Sequence, residues 1–233
     1  MTARPGYTRP ELLAETSSLQ EHLNDPTVRI LDCEVFDAYR RAHIPGAVGL
    51  RVAAGLKDAN DPLHIMPPEQ FARLMGELGV SNDTTVVTYD AGGIQATRIW
   101  WALSYHGHTN VKVLNGGWTK WLMEGRPIVN RVTTPQQAAF TPRMAPEVSC
   151  DLARMKSAVE SQGPVILDVR TEAEFTGEQA RGLKRGGHMP GAVRIDWPEF
   201  MTRDEPRVFR SAEELRALLA ARGVHPEREV ITY

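Results

Sequence analysis

Ile30-Leu31-Asp32-Cys33-Glu34, then Asp37-Ala38-Tyr39, then His43-Ile44-Pro45-Gly46-Ala47-Val48 is a pattern this chain writes twice. It returns as Ile166-Leu167-Asp168-Val169-Arg170, Ala173-Glu174-Phe175 and His188-Met189-Pro190-Gly191-Ala192-Val193. Self-similarity of this kind marks a duplicated unit. The aromatic and the histidine are 4 residues apart in the first copy (43 minus 39) and 13 in the second (188 minus 175). The second copy therefore carries an insertion, and it is rich in glycine and basic residues: Arg181, Gly182, Lys184, Arg185, Gly186 and Gly187.

A further block matches without a gap, residues 78–89 against residues 222–233, each ending in Thr-Tyr. The first copy then runs on through Asp90-Ala91-Gly92-Gly93, a helix-like run from Ile94 to Tyr105, an apolar strand Val111–Leu114, and Trp118 and Trp121. Within each copy, short β-branched runs alternate with helical signals. Val28–Leu31, Val86-Val87, Val165–Leu167 and Val230-Ile231 read as buried strands. Ser211 with Glu214 forms a capping box ahead of Leu215, and Thr8 with Glu11 and Pro10 is expected to form another ahead of Leu12, Leu13 and Leu19. The expected fold class is α/β, with two tandem domains, each a mainly parallel sheet flanked by helices, the second truncated. Residues 1–130 form the first domain. Residues 131–149, with Pro135, Pro142 and Pro146, form an extended linker, and residues 150–233 form the second domain.

The 233 residues suit between one and two domains. With 42% hydrophobic and 24% charged residues the chain can close a sizeable core, which excludes disorder along its length. Its 27 basic and 29 acidic residues give a net charge of -2, no overall field for a nucleic acid backbone or an anionic membrane, so neither is expected as a partner. Any anion binding is local. Two cysteines, Cys33 and Cys150, build neither a disulfide framework nor a cysteine zinc site and fit a reducing cytoplasm. No H-x-x-x-H pair or cysteine cluster accompanies His43 or His188, so no metal is expected. Met1-Thr2-Ala3-Arg4-Pro5-Gly6 lacks an apolar signal core, and Ile99–Leu103 is too short to span a bilayer, which points to a cytoplasmic protein.

The doubled pairing of a strand ending in Leu-Asp-x-x with a downstream His-x-Pro-Gly-Ala-Val resembles the tandem-domain rhodaneses. The wording of residues 186–193 is similar to bacterial thiosulfate sulfurtransferases, and the turn Asn115-Gly116-Gly117-Trp118 also resembles the family. The resemblance implies an inactive N-terminal domain and a C-terminal domain whose cysteine carries sulfur as a persulfide, with no organic cofactor. The implied partners are a small anionic sulfur donor, thiosulfate, and a thiophilic acceptor such as cyanide. That cysteine is expected directly after the strand at 229–233. The first copy holds Asp90 at the matching position, and a carboxylate cannot accept sulfane sulfur. In the second copy the matching position follows Tyr233, so the sequence is expected to stop one residue short of its nucleophile. A 3-mercaptopyruvate sulfurtransferase is the enzymatic alternative. A non-catalytic sulfur-relay or protein-binding module is the alternative of another class.

Around that position several residues are candidates. Asp168 and Arg170 lie at the carboxyl end of a strand, where open α/β sheets place ligands. Asp32 recurs at the Asp168 position in the copy expected to be inactive, which favours a structural turn or ion pair for Asp168. Arg170 is replaced by Glu34 there and is either a substrate or loop contact or a surface ion pair. Glu174, opposite Ala38, either supports the reactive loop or is a solvated helix residue. Arg181, Lys184 and Arg185 either attract small anions or belong to an ordinary solvated loop. Trp197 lies near the reactive loop by resemblance, or packs in a core or interface. His188, like His43, is expected to stabilise its Pro-Gly turn by bonding backbone, and Cys33 and Cys150 to be small inert thiols.

Overall fold

In the first unit, alternation along each strand sorts the core into two faces. The computed structural model describes residues 6–50, 56–58, 60, 64–182 and 184–233. Residues 1–5, most of the stretch read for a signal core, lie outside the described residues. The chain separates into two compact units, Met1–Val148 and Ser149–Tyr233.

The first unit runs β1 (Leu13–Ala14), α1 (Thr16–Glu21), β2 (Val28–Asp32), α2 (Phe36–Arg41), β3 (Val48–Gly49), α3 (Pro68–Glu77), β4 (Thr85–Tyr89), α4 (Ile94–Tyr105), β5 (Val111–Leu114) and α5 (Gly117–Met123). Its sheet is parallel with strand order β1-β5-β4-β2-β3. Leu31 and Val86 face one layer with Phe71, Met75, Ile99 and Leu103, from α3 and α4. Ile30, Val87 and Tyr89 face the other with Leu19 and Trp121, from α1 and α5. Both sides are covered, which is why the strands read as apolar runs.

In the second unit, α6 (Leu152–Ser161), β6 (Val165–Asp168), α7 (Glu172–Thr176), β7 (Val193–Arg194), α8 (Ala212–Ala220) and β8 (Val230–Thr232) follow. The sheet is parallel in the order β7-β6-β8, matching β3-β2-β4 strand for strand. Asp151 caps α6 by accepting from the Arg154 amide at 2.8 Å. The capping box of Ser211 and Glu214 is present at α8.

Two local expectations are corrected. Thr8 caps nothing: Arg9 precedes a single 3₁₀ turn, Pro10–Leu12, and its Nε holds the Glu11 carboxylate at 2.9 Å. Leu13 and Ala14 leave that turn to pair with Val113 and Leu114, and the helix starts only at Thr16, because strand pairing outweighs the local helix signal. Val230, read as buried, is 37% exposed, while Ile231 faces the core. Residues 131–148 are extended but bonded to the first unit. Ala138, Arg143 and Ala145 amides donate to Gly76, His106 and Tyr105 carbonyls, and Phe140 is buried among Phe71 and its neighbours. None of the described helices is long and apolar enough to cross a membrane.

Candidate active site

β6 delivers Asp168 to the carboxyl edge of the second sheet with its side chain fully buried. Four bonds from Arg170 hold it: the amide to Oδ1 at 2.9 Å, Nε to Oδ1 at 3.0 Å and to Oδ2 at 3.2 Å, and Nη2 to Oδ2 at 2.6 Å. Burial pushes the Asp168 carboxyl up, but the bonds from Arg170, helped by the Tyr233 phenol, outweigh it and hold the group below its ordinary value. Asp168 in turn raises the affinity of Arg170 for its proton. Nη2 of Arg170 also donates to the Gly187 carbonyl at 3.0 Å, and the guanidinium carbon lies 5.0 Å from the Tyr233 ring centroid. One cation thus joins the end of β6, the end of the insertion and the residue after β8.

Tyr233 extends the ladder beyond β8. Its amide donates to Leu167 and its carbonyl accepts from Val169, both at 3.2 Å. Its phenol oxygen accepts from the Met189 amide at 3.0 Å, and the phenol helps to lower the Asp168 carboxyl.

Glu174 lies at the third position of α7. Its Oε2 accepts from the Thr171 hydroxyl at 2.7 Å and amide at 3.2 Å, and Thr171 Oγ1 accepts from the Glu174 amide, a complete capping box. Its Oε1 pairs with Nε of Arg181 at 2.8 Å, bringing part of the insertion to α7. The Thr171 bonds, chiefly, hold its carboxyl below the ordinary value. The His188 ring stacks on Phe175 and its Nδ1 lies 2.8 Å from the Phe175 carbonyl. Trp197 is half-buried at the start of a 3₁₀ turn, its amide donating to Val169 at 3.0 Å. The structure thus brings Asp168, Arg170, Glu174 and His188 into one bonded framework around α7 and the insertion. Lys184 and Arg185 are exposed and form no ion pair among the described residues.

The first unit repeats this edge with different charges. Asp32 Oδ1 accepts from the Glu34 amide at 2.9 Å, Tyr89 donates its phenol to Oδ2 at 2.5 Å, and the Ile44 amide donates to the phenol oxygen at 3.2 Å. Here burial wins over those bonds and the Asp32 carboxyl is raised. Glu34 Oε1 accepts from the Ala91 amide at 2.7 Å. Asp90, which follows β4 and is 4% exposed, fills a ring of backbone donors: the Gly93 amide, the Gln95 amide at 2.6 Å and the Ala96 amide at 3.0 Å. Gly93 turns that ring with φ 82°, a conformation costly for other residues. The ring sits at the N-terminus of α4, where the amides and the helix dipole favour an anion, although burial outweighs them and raises the Asp90 carboxyl.

Cys33 is buried, and burial with the charges of Asp90 and Asp32 pushes its thiol well above the ordinary value. Cys150 is half-buried against the second core. The described residues hold no cluster of three metal-ligating side chains. Sequence reasoning missed the bonds by which the two phenols hold the turns, and the Thr171 cap. Their traces were present as the Thr-Tyr that closes each matched block and as the spacing Thr171-x-x-Glu174.

Comparison with known proteins converges on one family. The family described as Rhodanese-like domain matches residues 15–124 and 151–233. A sulfur carrier protein of Thermus thermophilus, TtuD, is 36% identical over 98% of this chain and 84% of its own. The thiosulfate sulfurtransferase of Bos taurus is 33% identical over 88% of this chain and 74% of its own. The crystal structure of the 3-mercaptopyruvate sulfotransferase SseA from Escherichia coli superposes with a TM-score of 0.85 at 29% identity, covering 95% of this chain and 87% of that one. With two matched segments, parallel sheets of corresponding order and relatives of this similarity along most of its length, the chain belongs to the rhodanese-like family.

Proposed function

We propose that this protein is a sulfurtransferase that moves sulfane sulfur from thiosulfate to cyanide or another thiophilic acceptor through a cysteine persulfide. The cysteine follows Tyr233 in the encoded protein, at the position Asp90 occupies in the first unit, and the first unit is non-catalytic. The observation that carries this reading is the ring of amides around Asp90. An equivalent ring in the second unit would favour a thiolate over a thiol and stabilise the anionic persulfide it becomes. The thiolate attacks the outer sulfur of thiosulfate, the sulfur–sulfur bond breaks, and sulfite leaves with the electron pair. Cyanide then attacks the terminal sulfur of the persulfide, giving thiocyanate and restoring the thiolate.

Arg170 is engaged by Asp168 and Gly187, which supports a role in holding the loop rather than in binding substrate directly. Lys184 and Arg185, exposed and without ion pairs among the described residues, supply the cationic surface that attracts a small dianion. Glu174 holds the insertion through Arg181. Two free thiols suit a reducing cytoplasm. A second reading, 3-mercaptopyruvate as donor, is favoured by the likeness to the Escherichia coli structure. Sulfite release from thiosulfate with cyanide, measured beside pyruvate release from 3-mercaptopyruvate, separates the two. Sulfite release that alkylation abolishes supports the first reading, and absence of both products favours a sulfur-relay or binding module.

A further inference from the structure

The same bracket between a tyrosine and a turn appears in both units, built from different neighbours. In each, the phenol of the tyrosine that closes the central strand pairing accepts from the amide that follows the histidine of the His-x-Pro-Gly turn, Ile44 for Tyr89 and Met189 for Tyr233. Tyr89 also donates to the strand-end Asp32. In the first unit the residue after the bracketing tyrosine is Asp90, whose carboxylate sits within 2.6 Å and 3.0 Å of the Gln95 and Ala96 amides. A bracket one residue upstream therefore coincides with a side chain placed to hydrogen-bonding precision. The second unit adds the Arg170 guanidinium over the Tyr233 ring, a contact that Glu34 cannot make at the corresponding place.

We infer that Tyr233 is a positioning residue for sulfur transfer. Its phenol, held by the Met189 amide with the Arg170 guanidinium over its ring, fixes the direction in which the chain leaves the sheet and hence where the next side chain points. The inference rests on the proposed function, which places the nucleophile next in the chain. The hydroxyl touches no reacting atom and acts only through the backbone it immobilises.

The test is Tyr233→Phe in the encoded full-length protein, with Tyr89→Phe as its internal control. Each removes one hydroxyl from an equivalent bracket and keeps the ring. Misplacing a reacting group by a fraction of its van der Waals radius is expected to lower kcat for sulfite release by about tenfold in Y233F, with KM for thiosulfate changed by no more than about twofold. Y89F is expected to lower thermal stability and leave kcat at the wild-type value. If Y233F does not fold, Asp168→Asn loosens Arg170, the cation over the Tyr233 ring, at constant volume and is expected to show the same split. A kcat in the bracket variant equal to wild type, or an equal kcat loss in Y89F, would overturn the inference. Wild-type protein that releases no sulfite would remove the functional reading itself and the positioning role with it.

Discussion

The imidazole of His188 lies flat against the ring of Phe175, 3.7 Å between centroids and 4° between planes, while its Nδ1 sits 2.8 Å from the Phe175 carbonyl oxygen. The first unit holds His43 against Tyr39 in the same way, at 4.0 Å and 23°, with Nδ1 2.7 Å from the Tyr39 carbonyl. The histidine of each His-x-Pro-Gly turn is thereby a strut between the turn and the preceding helix.

The two struts differ in burial, and their removal should differ accordingly. His43 is fully buried and His188 is exposed. His43→Ala should cost about 2–3 kcal/mol, from a lost buried bond and a lost aromatic contact, and His188→Ala about 1 kcal/mol. Urea denaturation of the two variants measures this, and equal costs would contradict the burial argument.

Asp168 makes stability depend on pH through its depressed carboxyl. A group whose folded value lies below its unfolded value of about 3.9 stabilises the fold above that unfolded value and loses the contribution as pH falls through the folded one. Asp168→Asn should therefore melt below wild type at pH 7, and the gap should close as the pH is lowered toward 3 and beyond. A gap independent of pH would show that Arg170 contributes shape rather than charge.

The neck of the insertion admits no side chain at Gly177. Its φ is 89°, and a Cβ there would come within 2.9 Å of the Gly187 amide nitrogen. Gly177→Ala should cost about 2 kcal/mol or more and release the insertion. Gly182 has φ 80° but open space around it, so Gly182→Ala should cost about 1 kcal/mol. Trypsin, cutting at Arg181, Lys184 or Arg185, should cleave the Gly177 variant markedly faster than wild type and the Gly182 variant only slightly faster.

Asp90 should matter to stability and not to turnover. Asp90→Ala leaves the Gly93, Gln95 and Ala96 amides without their acceptor and should destabilise the first unit by about 1–3 kcal/mol. Sulfite release by the variant should stay at the wild-type rate below its melting temperature. A lost rate in a folded variant would assign the first unit a part in the chemistry.

Much of the architecture was legible because its signals are local. The helix Ile94–Tyr105 and the strand Val111–Leu114 appear with the limits read from periodicity, and Ser211 caps α8 through Glu214. Thr8 failed as a cap because Leu13 and Ala14 gain more from pairing with β5, about 100 residues away, than from extending a helix. The connector was readable as extended, but its attachment rests on amides reaching Gly76, Tyr105 and His106, partners no short window contains. Glu174 stood out for its contrast with Ala38, whereas its bonds to Thr171 and Arg181 emerge only from geometry.

By itself, the sequence determined the duplication, the parallel α/β class, the carboxylate at position 90 and the turns that follow His43 and His188. All of these are written as residue type and spacing along one chain. Tertiary structure decided what identical letters do. Asp32 and Asp168 occupy the same place, yet burial raises the first while the guanidinium of Arg170 lowers the second. Tyr89 and Tyr233 become bridges only because folding brings Ile44 and Met189 within hydrogen-bonding reach of them. Charge state and direction depend on desolvation and on partners from distant segments, and those exist only once the sheet has formed.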